Sequence, residues 1–299
     1  MASILVTGLT TLDLIFKVDT LPNKGEKYQA TDGILSGGGN AGNAAVAVAR
    51  LGGEVSIFSA VGQDDVASLI MDGLQKENVD IEPMQQLEHL HSSFSSIQVD
   101  RFGARQILNF RKTPYLDNFN SILELPIKDG YLTDSRWDEA AIQTLELANR
   151  LSKPGVLDAE APVSREAFAA ASHVAFSRQG LRDFTKNNDL LSGLKSLGQN
   201  WNKWICVTDG SAGVYFFDQG NLRHVEAPRV KVVDTLGAGD VWHGAFILGL
   251  AEGKNELHAI EFANSAAALK CKAFGGRAGI PTRAEVAEFD SLIMGGSKE

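Results

Sequence analysis

Cysteine is almost missing. Cys206 and Cys271 are the two thiols in a chain of 299 residues, too few for a disulfide framework or a cysteine-built metal cluster, and they read as small buried apolar residues. A reducing, cytoplasmic setting is therefore expected. Proline is scarce as well, at eight, and no internal repeat, linker or low-complexity tract interrupts the chain. No apolar run reaches the ~18 residues that a membrane-spanning helix needs. The opening MASILVTGLTTLDLIFKV lacks a basic leader and is broken by Asp13, so neither export nor a membrane anchor is expected. Positive charge is the minority: 28 Lys and Arg against 37 Asp and Glu, for a formal net charge of −9. Such a field repels nucleic acid and anionic membranes. What the chain does have is 44% hydrophobic residues, enough to bury the core of one α/β domain spanning residues 1–299.

The order of elements points to a parallel sheet. ASILVTG is a short apolar strand ended by Gly8, and DLIFKV follows as a second. After the polar stretch LPNKGEKYQATDG, the small residues of GGGNAGNAAVAVARLGG predict a tightly packed helix from Gly37 to the stop at Gly52-Gly53. EVSIFSAVG is again strand-like, and strand–helix alternation continues through residues 138–208. Residues 93–111 differ. Two β-like runs flank RFGAR, a hairpin signature, and GVYFFDQGNLRHVEAP reads as a second hairpin turning at Asp218-Gln219-Gly220-Asn221. Helices are expected at about 241–252, 256–272 and 282–294.

The stretch VDTLGAGDV carries the clearest chemistry. Gly237 and Gly239 permit backbone conformations closed to other residues, so that consecutive N–H groups converge on one point. The apolar run that follows makes that point a helix N-terminus, an anion site suited to a transferring phosphoryl group. Asp240 ends the loop, placed to take a proton from a hydroxyl attacking phosphorus. The same letters also fit a plain glycine-rich turn with a helix-capping Asp.

With GGGNAGNAAVAVARLG some way upstream, DTLGAGD resembles the paired signatures of the PfkB or ribokinase-like carbohydrate kinases, over nearly the whole chain. The resemblance implies a three-layer α/β/α sandwich with a mainly parallel central sheet and a small β-sheet lid, its strands within about 14–33 and 93–118. It implies transfer of the γ-phosphoryl group of ATP, with Mg2+, to a sugar hydroxyl. Asp240 would be the base, and the amides from Leu236 through Gly237, Ala238 and Gly239 the anion hole. On the sugar side it implies Asp13, Gly38, Gly39 and Asn43, although Asp13 also suits an ordinary strand end, and Asn40 or Asn43 a helix cap. On the nucleotide side it implies Thr208, Gly210 and Gly213 along the phosphates and ribose, with Gly239, and Asn264 at the adenine pocket. Asp234 and Thr235, with the run Phe274–Gly279, resemble the enclosure of a monovalent cation, K+, in several members.

Two departures stand out. The mid-chain Asn-x-x-Glu that organises water around Mg2+ in many members reads Ser177-Arg178-Gln179-Gly180 here, so the metal is expected to arrive with nucleotide and water. VGQDD lacks the usual following Gly. GEKYQA, the Asn109 region, SRW and ALKCKAFGGRAGIP resemble the branch with ketohexokinase and 6-deoxy-6-sulfofructose kinase. That implies a ketose phosphorylated at C1, with Lys27, Asn109 and Arg136 gripping an anionic tail. Lys27 and Arg136 suit solvated positions or pairs with Asp134, Glu26 and Asp138 equally well. A ribokinase, a fructokinase acting on a neutral sugar and a nucleoside kinase remain as alternatives. A non-catalytic sensor would have lost the base or the loop glycines, and a Rossmann dehydrogenase lacks its G-x-G-x-x-G after the first strand. A homodimer through the lid is the expected assembly.

Overall fold

The computed structural model describes residues 1–116, 118–201, 203–218 and 220–296. An eight-stranded sheet runs in the order β14-β13-β12-β11-β10-β9-β1-β4. Its parallel part comprises β1 (Ser3–Thr7), β4 (Glu54–Phe58), β9 (Gly130–Asp134), β10 (Gly155–Ala159), β11 (His173–Ser177) and β12 (Trp204–Thr208). The antiparallel hairpin of β13 (Val214–Asp218) and β14 (Asn221–Val225) finishes one edge; Gln219 of its expected turn lies outside the described residues.

Successive residues of these strands enter opposite cores. Ile4, Val6, Val156, Ala175 and Cys206 pack on one side, while Leu5, Leu157, Val174, Phe176 and Ile205 pack on the other. Strands buried on both faces need a helical layer on each. One layer is α1 (Asn40–Arg50), α8 (Ala238–Ala251) and α9 (Glu256–Lys270), flanked by α2 (Asp65–Gln75) and α10 (Arg283–Gly296). The other is α4 (Asp138–Arg150), α5 (Arg165–Ala170), α6 (Arg178–Thr185) and α7 (Leu190–Asn200), with the short α3 (Asn120–Glu124) beside it. β5 (Ala60–Val61) and β6 (Gln85–Gln86) form a two-stranded pair apart from the main sheet.

A separate four-stranded sheet has the order β3 (Asp32–Gly38), β2 (Thr11–Lys17), β7 (Phe94–Val99) and β8 (Arg105–Phe110). β2 and β7 are parallel and the outer pairs antiparallel. These strands differ in place from the expectation. β2 begins before residue 14, β3 runs past residue 33, and the polar stretch between them forms no strand, because it offers no alternating apolar residues to either face. Asp117, within the expected 93–118 range, lies outside the described residues. α1 likewise starts at Asn40 rather than Gly37, since Gly37 and Gly38 are paired to Leu12 and Thr11 in the sheet.

Candidate active site

Gly237 takes a left-handed φ of 77° and turns the chain into α8, a conformation that costs glycine little. Of the loop amides, Leu236 N–H donates to Asp234 Oδ1 at 2.9 Å and Ala238 N–H to the Thr235 carbonyl at 3.2 Å. The expected anion hole therefore narrows to Gly237 and Gly239, whose N–H groups have no protein acceptor among the described residues. Both point from the positive end of a helix of 14 residues.

Asp240 lies half-buried in the first turn of α8. The start of α1 delivers two amides to it: Asn43 Nδ2 donates to Oδ2 at 2.7 Å and Asn40 Nδ2 to Oδ1 at 3.2 Å. Asn40 Nδ2 also faces Asp158 Oδ2 at 3.3 Å and Glu160 Oε2 at 3.2 Å, so one amide stands among three carboxylates. Burial, then the negative charge of Asp158, lift the Asp240 pKa to about 7, with Glu160 adding to the rise and the Asn43 hydrogen bond opposing it. Asp158 is itself held well above the usual carboxylate range by burial and by its neighbours Glu160 and Asp134. His243, one turn along α8, donates from Nε2 to the Ala175 carbonyl at 3.3 Å, and its burial keeps it below the ordinary imidazole value.

The small sheet contributes a polar row. Its register sets Ser36, Asp13, Ser95 and Asn109 side by side across β3, β2, β7 and β8. Thr11 Oγ1 donates to Asp13 Oδ1 at 2.9 Å, and Ser95 Oγ donates to Asn109 Oδ1 at 2.8 Å. Burial raises the Asp13 pKa; hydrogen bonds from Thr11 and Ser95 and the charges of Arg277 and Arg111 work against it. The next row inward, Ile15 and Ile97 with Val99 beyond, packs on Leu236 and Phe274, so this face of the sheet rests against the loop.

The glycines before α1 make room for the protein's own groups. A Cβ at Gly38 would overlap the Asp13 carboxylate, and one at Gly37 would overlap the Arg277 guanidinium. Arg277, 5% exposed, donates from Nε to Asn43 Oδ1 and from Nη2 to the Gly38 carbonyl, both at 3.0 Å. Burial lowers its pKa to about 10, although Asp13, Glu77 and Asp240 pull upward. Asn43 thus links Arg277 to Asp240.

Of the proposed tail-binding residues, Asn109 joins the polar row and Arg136 stands near it. Arg136 is already paired with Glu160 and donates from Nη1 to the Ala161 carbonyl at 2.7 Å. Arg111 faces the same group: Arg136, Glu160, Asp13 and Asp134 all act on its charge. Arg111, Lys112 and Arg136 line a small cavity of about 160 Å³ together with Ser93 and Trp137. Lys27 is exposed in the segment between β2 and β3, and no hydrogen bond or ion pair joins it to this group among the described residues.

A second cavity, about 860 Å³, gathers every nucleotide-side candidate, namely Thr208, Gly210, Gly213, Gly239 and Asn264, with Trp242. Its size suits a nucleotide. Asn264 is held from within, since Trp242 Nε1 donates to its Oδ1 at 2.8 Å and its Nδ2 donates to the Glu226 carbonyl at 3.2 Å. It therefore braces the cavity wall. At the cavity edge, where the Asn-x-x-Glu would stand, Ser177 caps α6 and Arg178 binds Asp209 through two bonds of 2.6 Å. No three His, Cys, Asp or Glu side chains converge as metal ligands among the described residues, so Mg2+ here would draw on nucleotide and water oxygens.

The candidate cation enclosure is already filled by protein. Both carboxylate oxygens of Asp234 accept backbone bonds, from Leu236 N–H and from Gly275 N–H at 3.1 Å. Lys270 Nζ donates to the Asp234 carbonyl at 3.0 Å and stands 3.7 Å from Oδ2. Thr235 Oγ1 accepts from Arg105 Nη2 of β8 at 2.7 Å. A potassium ion does not fit beside that ammonium. Composition concealed this, because Lys270 reads as an ordinary C-terminal helix lysine; its place in an apolar run, ALKC, was the available signal.

The chain is similar to known proteins over nearly its whole length. A crystal structure from Agrobacterium tumefaciens superposes with a TM-score of 0.91 at 32% identity, covering 98% of this chain and 99% of that one. Arabidopsis thaliana ribokinase, solved with ribose and ATP, superposes at 0.85 with 21% identity over 96% and 98%. The ribokinase of Bacillus subtilis is 28% identical over 295 residues, 97% of this chain and 99% of its own. No helix among the described residues is long and apolar enough to cross a membrane. The model of the PfkB family of carbohydrate kinases matches residues 1–283, and the chain belongs to that family.

Proposed function

We propose that this carbohydrate kinase transfers the γ-phosphoryl group of ATP to the C1 hydroxyl of a ketose whose far end is anionic. Asp240 carries the reading. Its carboxylate titrates about neutrality, is aimed by Asn40 and Asn43, and lies one residue beyond the free amide of Gly239. A sugar hydroxyl placed there loses its proton to Asp240 as its oxygen attacks phosphorus, and positioned bases of this kind contribute ~10²- to 10⁴-fold. The Gly237 and Gly239 N–H groups and the helix dipole meet the charge that spreads over the phosphoryl oxygens. Mg2+ on the nucleotide supplies charge neutralisation.

Asp13 and the row beside it accept and donate to sugar hydroxyls. The anionic end is supported by the cavity around Arg111, Lys112 and Arg136, and the ketose by the sequence resemblance. A neutral pentose is the second reading, favoured by Glu160, which already neutralises Arg136, and by the similarity to ribokinases. ADP release over fructose, 6-deoxy-6-sulfofructose, fructose 6-phosphate and ribose separates them. The first reading expects an anionic ketose to exceed fructose in kcat/KM by ~10²-fold, the worth of a desolvated bidentate pair; ribose in first place contradicts it.

We also infer a cytoplasmic homodimer. Support comes from the free thiols of Cys206 and Cys271 and from the outward face of the small sheet, where Leu35 and Leu108 are 56% and 74% exposed beside the stacked Phe94 and Phe110.

A further inference from the structure

A buried lysine needs an explanation, because an ammonium withdrawn from water is costly unless it is paired and hydrogen-bonded. Lys270 is 0% exposed, at the last turn of α9, and nothing in the phosphoryl-transfer scheme uses it. What it touches is the segment that shapes the anion hole. Its Nζ donates to the Asp234 carbonyl at 3.0 Å and stands 3.7 Å from Oδ2, while the same carboxylate holds Leu236 N–H and Gly275 N–H. These contacts tie the chain before Gly237 to the turn at Gly275. Another cation beside Oδ2 would crowd the Gly275 N–H and stand against a like charge in a buried site, where such repulsion is poorly screened.

We propose that the Lys270 ammonium is the resident cation of the anion-hole loop, holding Asp234 and the Gly275 turn as an enclosed potassium ion otherwise would, and that phosphoryl transfer here is independent of monovalent cations. Lys270 is a positioning residue in this account. The inference goes beyond the proposed sugar and rests only on the loop being the phosphoryl site.

The test uses the full chain, dialysed into tetramethylammonium buffer, with sodium, potassium or ammonium chloride added at constant ionic strength. Turnover of ATP and the melting temperature without substrates are both read. Wild type is expected to change turnover by less than ~2-fold among the salts and to melt at one temperature, as for a protein with no site for the ion. Lys270→Met, which keeps the length and apolar stem of the side chain, is expected to lose ~10-fold or more in turnover, to recover in potassium or ammonium, and to melt higher in those salts. Saturable potassium activation of wild type, or a potassium-specific rise in its melting temperature, overturns the proposal. A folded Lys270→Met variant that keeps full turnover, or that ignores both ions, overturns it as well. If that variant does not fold, the wild-type arms decide. Melting is read without sugar or ATP, so a chain inactive on every sugar refutes the substrate assignment while the cation question is still answered.

Discussion

On either side of one glycine loop, Asp234 and Asp240 are the same side chain in opposite settings. Asp234 is surrounded by donors: two backbone amides and the Lys270 ammonium. Asp240 is surrounded by acceptors, with Asp158 and Glu160 behind it and two asparagine amides as its partners. Donors hold a carboxylate in place and make it a structural anchor, whereas the burial and neighbouring carboxylates around Asp240 raise its pKa and leave it able to take a proton. The loop keeps one aspartate as a fastening and the other as a base, by choosing the company of each.

Removing the base should have the largest effect. Asp240→Asn is expected to cut turnover by ~10³-fold with the affinity for ATP unchanged by calorimetry. The same variant sharpens the contrast in stability. The folded pKa, about 7, is above the ordinary value near 4, so the folded state favours protonated Asp240, and stability is lost as pH rises from about 4 to about 7, above which the loss is constant. Asn should therefore add nothing at pH 4 and stabilise by about 1–3 kcal/mol at pH 8, allowing for partial exposure. Urea melts at the two pH values check it.

A purely structural carboxylate should behave differently. Asp134, 3% exposed, accepts from Leu9 N–H at 2.8 Å, Arg136 N–H at 2.9 Å and Ala41 N–H at 3.2 Å. Asp134→Ala should destabilise by about 2–4 kcal/mol in urea melts, because one buried and two partly buried donors lose their acceptor. Trp242→Phe is expected to raise KM for ATP by ~5-fold with kcat little changed, since it frees Asn264 at the cost of about one hydrogen bond. Lys27→Ala, exposed and apart from the polar row, should change kcat/KM by less than ~2-fold; a large loss on an anionic sugar would return it to the tail site.

The contrast between the aspartates was only half legible in the sequence. VDTLGAGD shows the turn and the helix start, because glycine conformation and N-terminal chemistry are local. Asp240's company is not local. Asn40 opens α1, Asp158 is near the end of β10 and Glu160 follows it; a parallel sheet brings strand ends together that the chain keeps far apart. The polar row of Ser36, Asp13, Ser95 and Asn109 is likewise a matter of register between strands, which alternation within one strand does not reveal. Arg277 was read as part of a cation loop, yet its guanidinium fills the space left by Gly37. Within the range 14–33, where the resemblance implied lid strands, residues 18–31 form none, because that polar stretch has no apolar alternation to bury.

The most direct test of the account is the pH profile of kcat/KM with ATP and the preferred sugar, in wild type and in Glu160→Gln. The account predicts a rise with pH whose midpoint is near 7 in wild type, where free Asp240 loses its proton, and a lower midpoint in Glu160→Gln, where one repelling carboxylate is gone. A wild-type profile already flat from pH 5 upward, or a midpoint that Glu160→Gln leaves in place, would contradict it.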